Sequence, residues 1–232
     1  MSVRKKIFVL LLVTLGLLLL VQYTVYHSLI FPSYVELERK EALGNLKRVI
    51  ETLRREIVYL DTLTHDWAAW DDMAEYMTLK NGKFIEKNLK TNVFVDNRLN
   101  FCQLVDTGGR VIWQSAVNLS NRKAIEIRGL PRDRYPEDHL LVSHSRSTGP
   151  LDERYVRGII ILEGQPAIIA ARPVLTSDNE GPIMGTVILG RFFDKQYIRL
   201  LAGITGMKFS LTLRPPSRKP FVQSKRPAKA PG

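Results

Sequence analysis

The sequence predicts an α+β protein: an N-terminal transmembrane helix, a long extracytoplasmic helix, then an antiparallel sheet. Three observations carry this. Ile7 to Tyr26 is almost wholly apolar, and it has about the 20 residues that a helix needs to cross a bilayer. From Leu43 to Asp71, a mostly apolar stripe recurs at alternating steps of three and four, as on one face of a helix. From Phe101 the period changes to two, the alternation of strands with a buried face.

Arg4, Lys5 and Lys6 precede the apolar run, which keeps residues 1–6 in the cytoplasm and makes 7–26 the transmembrane helix. Tyr23 and Tyr26 stand where an interfacial aromatic belt would be. The exit, Val25-Tyr26-His27-Ser28, lacks the small residues of a signal cleavage site, so the segment reads as a retained anchor rather than a cleaved signal. In either case the rest of the chain is exported. Gly158 to Leu162, Ala167 to Ala171 and Ile183 to Leu189 are too short to span and read as strands. The expected location is therefore the cytoplasmic membrane, single-pass, with the C-terminal domain outside.

Pro32 is tolerated in a helix's first turn. After it, Leu43, Leu46, Ile50, Leu53, Ile57, Leu60, Thr64, Trp67 and Asp71 form a heptad-like stripe. The predicted helix runs from about Ser33 to about Leu79, closed by Asn81-Gly82 as an αL-capable pair. Its first half reads as a stalk able to form a homodimer, and its second half as a cover for the sheet.

The second half holds His65 to Tyr76, HDWAAWDDMAEY. On a helix, Asp66, Trp67, Trp70 and Asp71 share an arc of roughly 140°, on the same side as Leu60 and Leu63. This face is expected to be buried, and buried carboxylates need donors. Arg172 stands in a strand that is otherwise apolar and is the expected cation, since arginine pairs bidentately with a carboxylate. Asp66, Trp67, Trp70, Asp71 and Arg172 are thus the candidate ligand-binding residues. In the alternative reading the tryptophans are core, and the aspartates accept from loop backbone or an arginine. Asp61, His65 and Asp72 align on another stripe. They could hold a divalent ion, but an exposed polar stripe is the expectation, and neither metal nor cofactor is assigned.

Phe101 to Val105 and Val111 to Gln114 read as strands joined by a turn, Asp106-Thr107-Gly108-Gly109-Arg110. Asn118 to Gly149 reads as a short helix plus loops over one face, with His139 and His144 solvated. Gly158 to Leu162 and Pro166 to Val174 form a second hairpin, and Ile183 to Phe192 the next strand. Asp194 caps a short helix over Lys195 to Ala202, and Met207 to Leu213 reads as a last strand.

The Asp-Trp-Ala-x-Trp-Asp-Asp block resembles the signature of the fourth class of CHASE domains, extracellular sensors of bacterial and archaeal membrane signalling proteins. Asp66, Trp67, Ala68, Trp70, Asp71 and Asp72 match that pattern. Where the family carries an aromatic two residues after the second aspartate, this chain has Ala74, and the next aromatic is Tyr76. The Asp-x-x-Gly hairpin and the Ala-Ala-Arg-Pro-Val strand resemble a Cache-like, PAS-related sensor fold. The resemblance implies a sensor domain over residues 33–213 that binds a small molecule and passes the signal to a membrane partner.

The net charge of +11 is mostly terminal, with three basic residues before the span and six, without acids, after residue 213. The folded part is near balance and has no nucleic-acid footprint. Cys102 is the only cysteine, which excludes an intramolecular disulfide and a thiolate metal cluster. There is no phosphate-binding glycine loop, no Gly-x-Ser-x-Gly elbow and no histidine near Cys102 in sequence, so an enzyme is not expected. The proline- and lysine/arginine-rich tail, 214–232, is expected to be disordered. With no effector in the sequence, a truncated signal-transduction protein is expected. The alternative function is a tethered helical scaffold.

Overall fold

The structure, a computed structural model, describes residues 2–146 and 149–206. The expected last strand, Met207–Leu213, and the basic tail lie outside the described residues.

Helix α1 (Val3–Val25) runs into α2 (Phe31–Ala68) through a π-helical turn at Tyr26–Ile30. The wide turn sits just before Pro32, whose ring crowds the carbonyl four residues back and whose nitrogen has no proton to donate. The 66 residues from Val3 to Ala68 thus form one helical rod, about 100 Å long at 1.5 Å per residue. No residue of α1 is buried, as suits a segment surrounded by lipid. Leu43, Leu46 and Ile50 are also exposed, whereas Leu53 and Ile57 pack against the core. The division between stalk and cover therefore falls near Leu53.

The single helix to Leu79 is corrected. α2 stops at Ala68, Trp70 is extended (φ −140°, ψ 124°), and α3 (Asp71–Leu79) restarts after it. The cause is tertiary. Leu175 N–H donates to the Ala68 carbonyl at 3.0 Å, and Ala69 forms a parallel bridge with Leu175. Lys80, not Asn81-Gly82, takes the left-handed cap (φ 53°). Asn81 instead caps the next helix, α4 (Gly82–Asn88), accepting from Phe84 N–H. α5 (Thr91–Asp96) follows.

Among the described residues five strands form one antiparallel sheet: β1 (Phe101–Asp106), β2 (Val111–Ala116), β3 (Val156–Leu162), β4 (Gln165–Pro173) and β5 (Gly185–Phe192), in spatial order β2-β1-β5-β4-β3. The β1–β2 turn depends on Gly109 (φ 78°), where a Cβ would meet the Tyr135 carbonyl oxygen at 2.9 Å. The β3–β4 turn has Glu163 and Gly164 both at positive φ, as a two-residue hairpin requires.

Alternation sends Cys102, Leu104, Ile168, Ala170, Val187 and Leu189 to the α2 face, and Phe101, Val105, Ala167, Ile169, Ala171 and Ile188 to the other. That second face is covered by the long loop between β2 and β3 through Ile127, Leu130, Tyr135 and Leu141. The loop holds 3-10 turns at Ser143–Arg146 and Leu151–Glu153 in place of the expected short helix. His144 is buried rather than solvated, and burial pushes its pKa down to about 4. His139 is half-buried against the edge of Tyr135. Finally α6 (Lys195–Thr205), capped by Asp194, packs Tyr197 and Leu201 into the α2-side core.

Candidate functional site

Two charged tethers bind α2 to the sheet. On α2, Ile57, Asp61, Thr64 and Ala68 follow helical spacing, so Asp61 faces the strands with its apolar neighbours. On β4, Arg172 shares the α2 face with Ile168 and Ala170. Arg157 of β3 pairs with Ala170, which makes it the diagonal neighbour of Arg172 on that face. Asp61 is 2% exposed. Arg172 donates Nε to Oδ1 and Nη2 to Oδ2, both at 2.8 Å, and Arg157 donates Nη1 to Oδ2 at 2.7 Å. Both guanidiniums lie over the Tyr155 ring, at 4.3 and 4.8 Å, and Arg172 also donates to the Asp152 carbonyl. Two cations share one carboxylate, and the aromatic face and carbonyl offset part of the surplus.

The second tether lies nearer the apolar segment on α2. Arg191 of β5 is 1% exposed and donates Nη1 to Glu56 at 2.7 Å. Its Nε and Nη2 donate to the carbonyls of Arg98 and Asn97. The Tyr197 hydroxyl of α6 donates to the same Glu56 oxygen, and burial, with the Glu56 charge, pushes its pKa up. This cluster joins α2, β5, α6 and the end of α5.

The tryptophan block differs from expectation. Trp67 and Trp70 are half-buried and pack against the α2-side core, and Trp70 tilts against Phe84 with ring centres 5.4 Å apart. Phe84 in turn stacks on Tyr76. Ala74, where the resemblance implied an aromatic, is in the core. The two carboxylates are not buried: Asp66 and Asp71 are exposed. The break at Ala69–Trp70 turns the arc apart, so Asp66, Trp67, Trp70 and Asp71 do not line one face. Arg172 is bound to Asp61 rather than to either of them. Asp61, His65 and Asp72 do not form a stripe either. Asp72 lies on α3, and His65 Nε2 meets Asn179 Oδ1 at 2.9 Å. Among the described residues no three metal-ligating side chains cluster.

Asp71 has a definite local task. Its Oδ1 accepts from Ser177 N–H at 2.9 Å, and its own N–H donates to Ser177 Oγ, clasping the loop after β4 to the start of α3. The Ser177 backbone N–H, and then its side chain, hold the Asp71 carboxyl below its ordinary 3.8. A depressed carboxylate stabilises the fold above the unfolded pKa and ceases to do so as pH falls through the folded one. Acid unfolding below about pH 4 should therefore be less steep in Asp71→Asn than in wild type. Equal slopes, read by tryptophan fluorescence, would count against the clasp.

Residue-level reading missed Glu56, Arg157, Tyr155 and Arg191, and it placed Asp61 on an exposed polar stripe, whereas Asp61 is buried. The signal that singled out Arg172, an arginine inside an apolar strand, was present for Arg191 in Val187-Ile188-Leu189-Gly190-Arg191-Phe192. Asp61 was legible from its spacing to Ile57 and Thr64.

With this geometry in hand, the comparisons decide the family. The CHASE4 domain profile matches residues 52–212. The chain belongs to the CHASE4 domain family. A related protein is the methanogenesis regulatory histidine kinase FilI of Methanothrix harundinacea (strain 6Ac), 23% identical over 164 residues, which is 71% of this chain and 18% of the relative. Two solved structures share the fold. One is the extracellular domain of a protein described as a histidine kinase (TM-score 0.54, 14% identity, 72% of this chain and 63% of that one). The other is a domain of a protein from Vibrio parahaemolyticus described as of the sensory box/GGDEF family (TM-score 0.54, 16% identity, 72% and 64%). The chain spans less than two thirds of each. The CHASE4 domain is thus an extracellular-type sensor domain with a Cache/PAS-like sheet, and both tethers, Glu56–Arg191 and Asp61–Arg157/Arg172, lie inside the matched region.

Proposed function

We propose that this chain is a membrane-anchored, extracytoplasmic sensor module that binds a small molecule and passes the event to its anchor through α2. Residues 7–26 are the anchor in the cytoplasmic membrane, 1–6 its cytoplasmic end, and 33–213 the sensor domain. One observation carries the reading: the helix that enters the apolar segment is the same rod that the sheet grips at Glu56 and Asp61. A shift of β4 or β5 on ligand binding moves charged groups fixed to that rod. The rearrangement must be driven by differential affinity between two states.

Of the expected ligand residues, Arg172 best suits contact with a ligand, since it already balances protein acceptors against a surplus cation. Asp66, Trp67, Trp70 and Asp71 act instead as the joint at the far end of α2. A second reading, a tether that dimerises through the stalk, is favoured by the exposed stripe Leu43, Leu46 and Ile50. The two are compatible, and crosslinking of cysteine substituted for Leu46 tests the second.

The sensor reading predicts that protease added to intact cells, with any outer envelope permeabilised, removes the domain. It also predicts that a small-metabolite screen on the full chain in nanodiscs finds a compound that raises Tm, as ligand linkage requires. A protected domain would overturn the topology, and a screen without any shift would overturn the ligand.

A further inference from the structure

The base of the domain holds a cavity of about 510 Å³ between α5, α6 and the segment after β2, within the range of small-molecule sites. Its apolar wall is Val95, Leu119 and Leu200, with Tyr197 beside them. Its polar wall is mainly basic: Arg98, Arg191 and Arg199 line it together with Asp194 and Gln196. Arg191 is buried and carries five N–H groups, of which three have acceptors: Glu56, Arg98 O and Asn97 O. Arg98 and Arg199 are exposed, and among the described residues neither has a carboxylate at ion-pair distance. The acidic groups nearby are engaged: Asp194 Oδ1 accepts from Tyr197 N–H at 2.7 Å, and Glu56 holds Arg191 and the Tyr197 hydroxyl. The cavity is therefore apolar on one side, and on the other its three arginines face Asp194 and the adjoining Glu56, which leaves a surplus of one positive charge.

We propose that this cavity is a binding site for a small amphipathic carboxylate, with its apolar body against Val95, Leu119 and Leu200 and its anionic group between Arg98 and Arg199. Arginine suits that task because its planar fork meets both carboxylate oxygens. The inference adds a ligand site apart from Arg172 and rests on the sensor reading only for the consequence of binding. The cavity adjoins the Glu56–Arg191–Tyr197 cluster, so an anion drawn toward Arg191 competes with Glu56 for the guanidinium. That competition would loosen α2 from β5 and α6.

The test is calorimetric titration of the full chain in nanodiscs with benzoate and hexanoate, against acetate, which lacks the apolar body, and benzamide, which lacks the charge. Benzoate and hexanoate should bind saturably, and the two controls at least about tenfold more weakly. Arg98→Gln and Arg199→Gln, both exposed substitutions that leave the core intact, should each weaken binding about tenfold. Leu200→Ala should weaken hexanoate while leaving any residual ionic binding. Absence of saturable heat, equal affinity for benzamide, or unchanged affinity in the double arginine variant would each overturn the site. Spin labels at Leu46 and Asn121 separate this from the sensor reading. Saturable benzoate binding with no change in label distance supports the site and counts against transmission. A distance change driven by another compound in the double variant overturns the site and leaves the sensor reading standing.

Discussion

Asp61→Ala is expected to lower stability by about 3 kcal/mol, at the low end of the 3–5 seen when one partner of a buried ion pair is removed. The loss arises less from the missing attraction than from what remains. Arg172, 11% exposed at its side chain, loses both of its carboxylate acceptors. Arg157, 33% exposed, recovers some hydration and moderates the effect. Urea unfolding of the chain in detergent should show a lower midpoint at unchanged m-value. Replacing Asp61, Arg157 and Arg172 together by Leu, Met and Met should restore most of the stability, since apolar groups of similar volume then fill the site. A near-neutral Asp61→Ala would mean that the tether does not hold α2 to β3 and β4.

Gly190→Ala should be similarly costly, about 3 kcal/mol, for a reason unrelated to charge. Gly190 lies in the central strand directly opposite Phe101, and a Cβ there would fall within the Phe101 ring. Gly190 has ordinary extended backbone, being absent from the positive-φ glycines, so the residue is needed for space and not for conformation. The Phe101 ring is fully buried, tilted against Phe192 at 5.3 Å, and has nowhere to retreat. Phe101→Leu alone should destabilise by opening a gap, but combined with Gly190→Ala it should recover part of the loss. This non-additivity identifies neighbours in contact. Strict additivity in the double variant would show that the ring and the glycine do not depend on each other.

The elements with strong periodicity were legible in the sequence. The apolar run, the α2 stripe, both hairpins, the central β5 strand and α6 each satisfy a local rule, and the structure contains each of them. α4 and α5 were not legible. Their buried anchors, Phe84, Leu89, Phe94 and Leu99, recur every five residues, a spacing that matches neither helix nor strand. The break at Ala69–Trp70 was invisible for a different reason. Nothing local disfavours helix there, and the deciding hydrogen bond comes from Leu175, over a hundred residues later.

The candidate site divides in the same way. Composition and motif determined that an acidic tryptophan block lies in the second half of a long helix that follows an apolar run, and that an arginine in β4 must find a carboxylate. Which carboxylate was decided only by the tertiary structure. α2 offers Asp61 and Asp66 from different turns, Asp71 lies beyond the break at the start of α3, and the strand register of Arg157 and Arg172 meets only Asp61. Sequence periodicity specifies which face a side chain occupies, because that depends on the geometry of one element. Pairing across elements depends on how far one slides along the other, and that is set by the packing of Leu60, Ile168 and Val187 in the shared core.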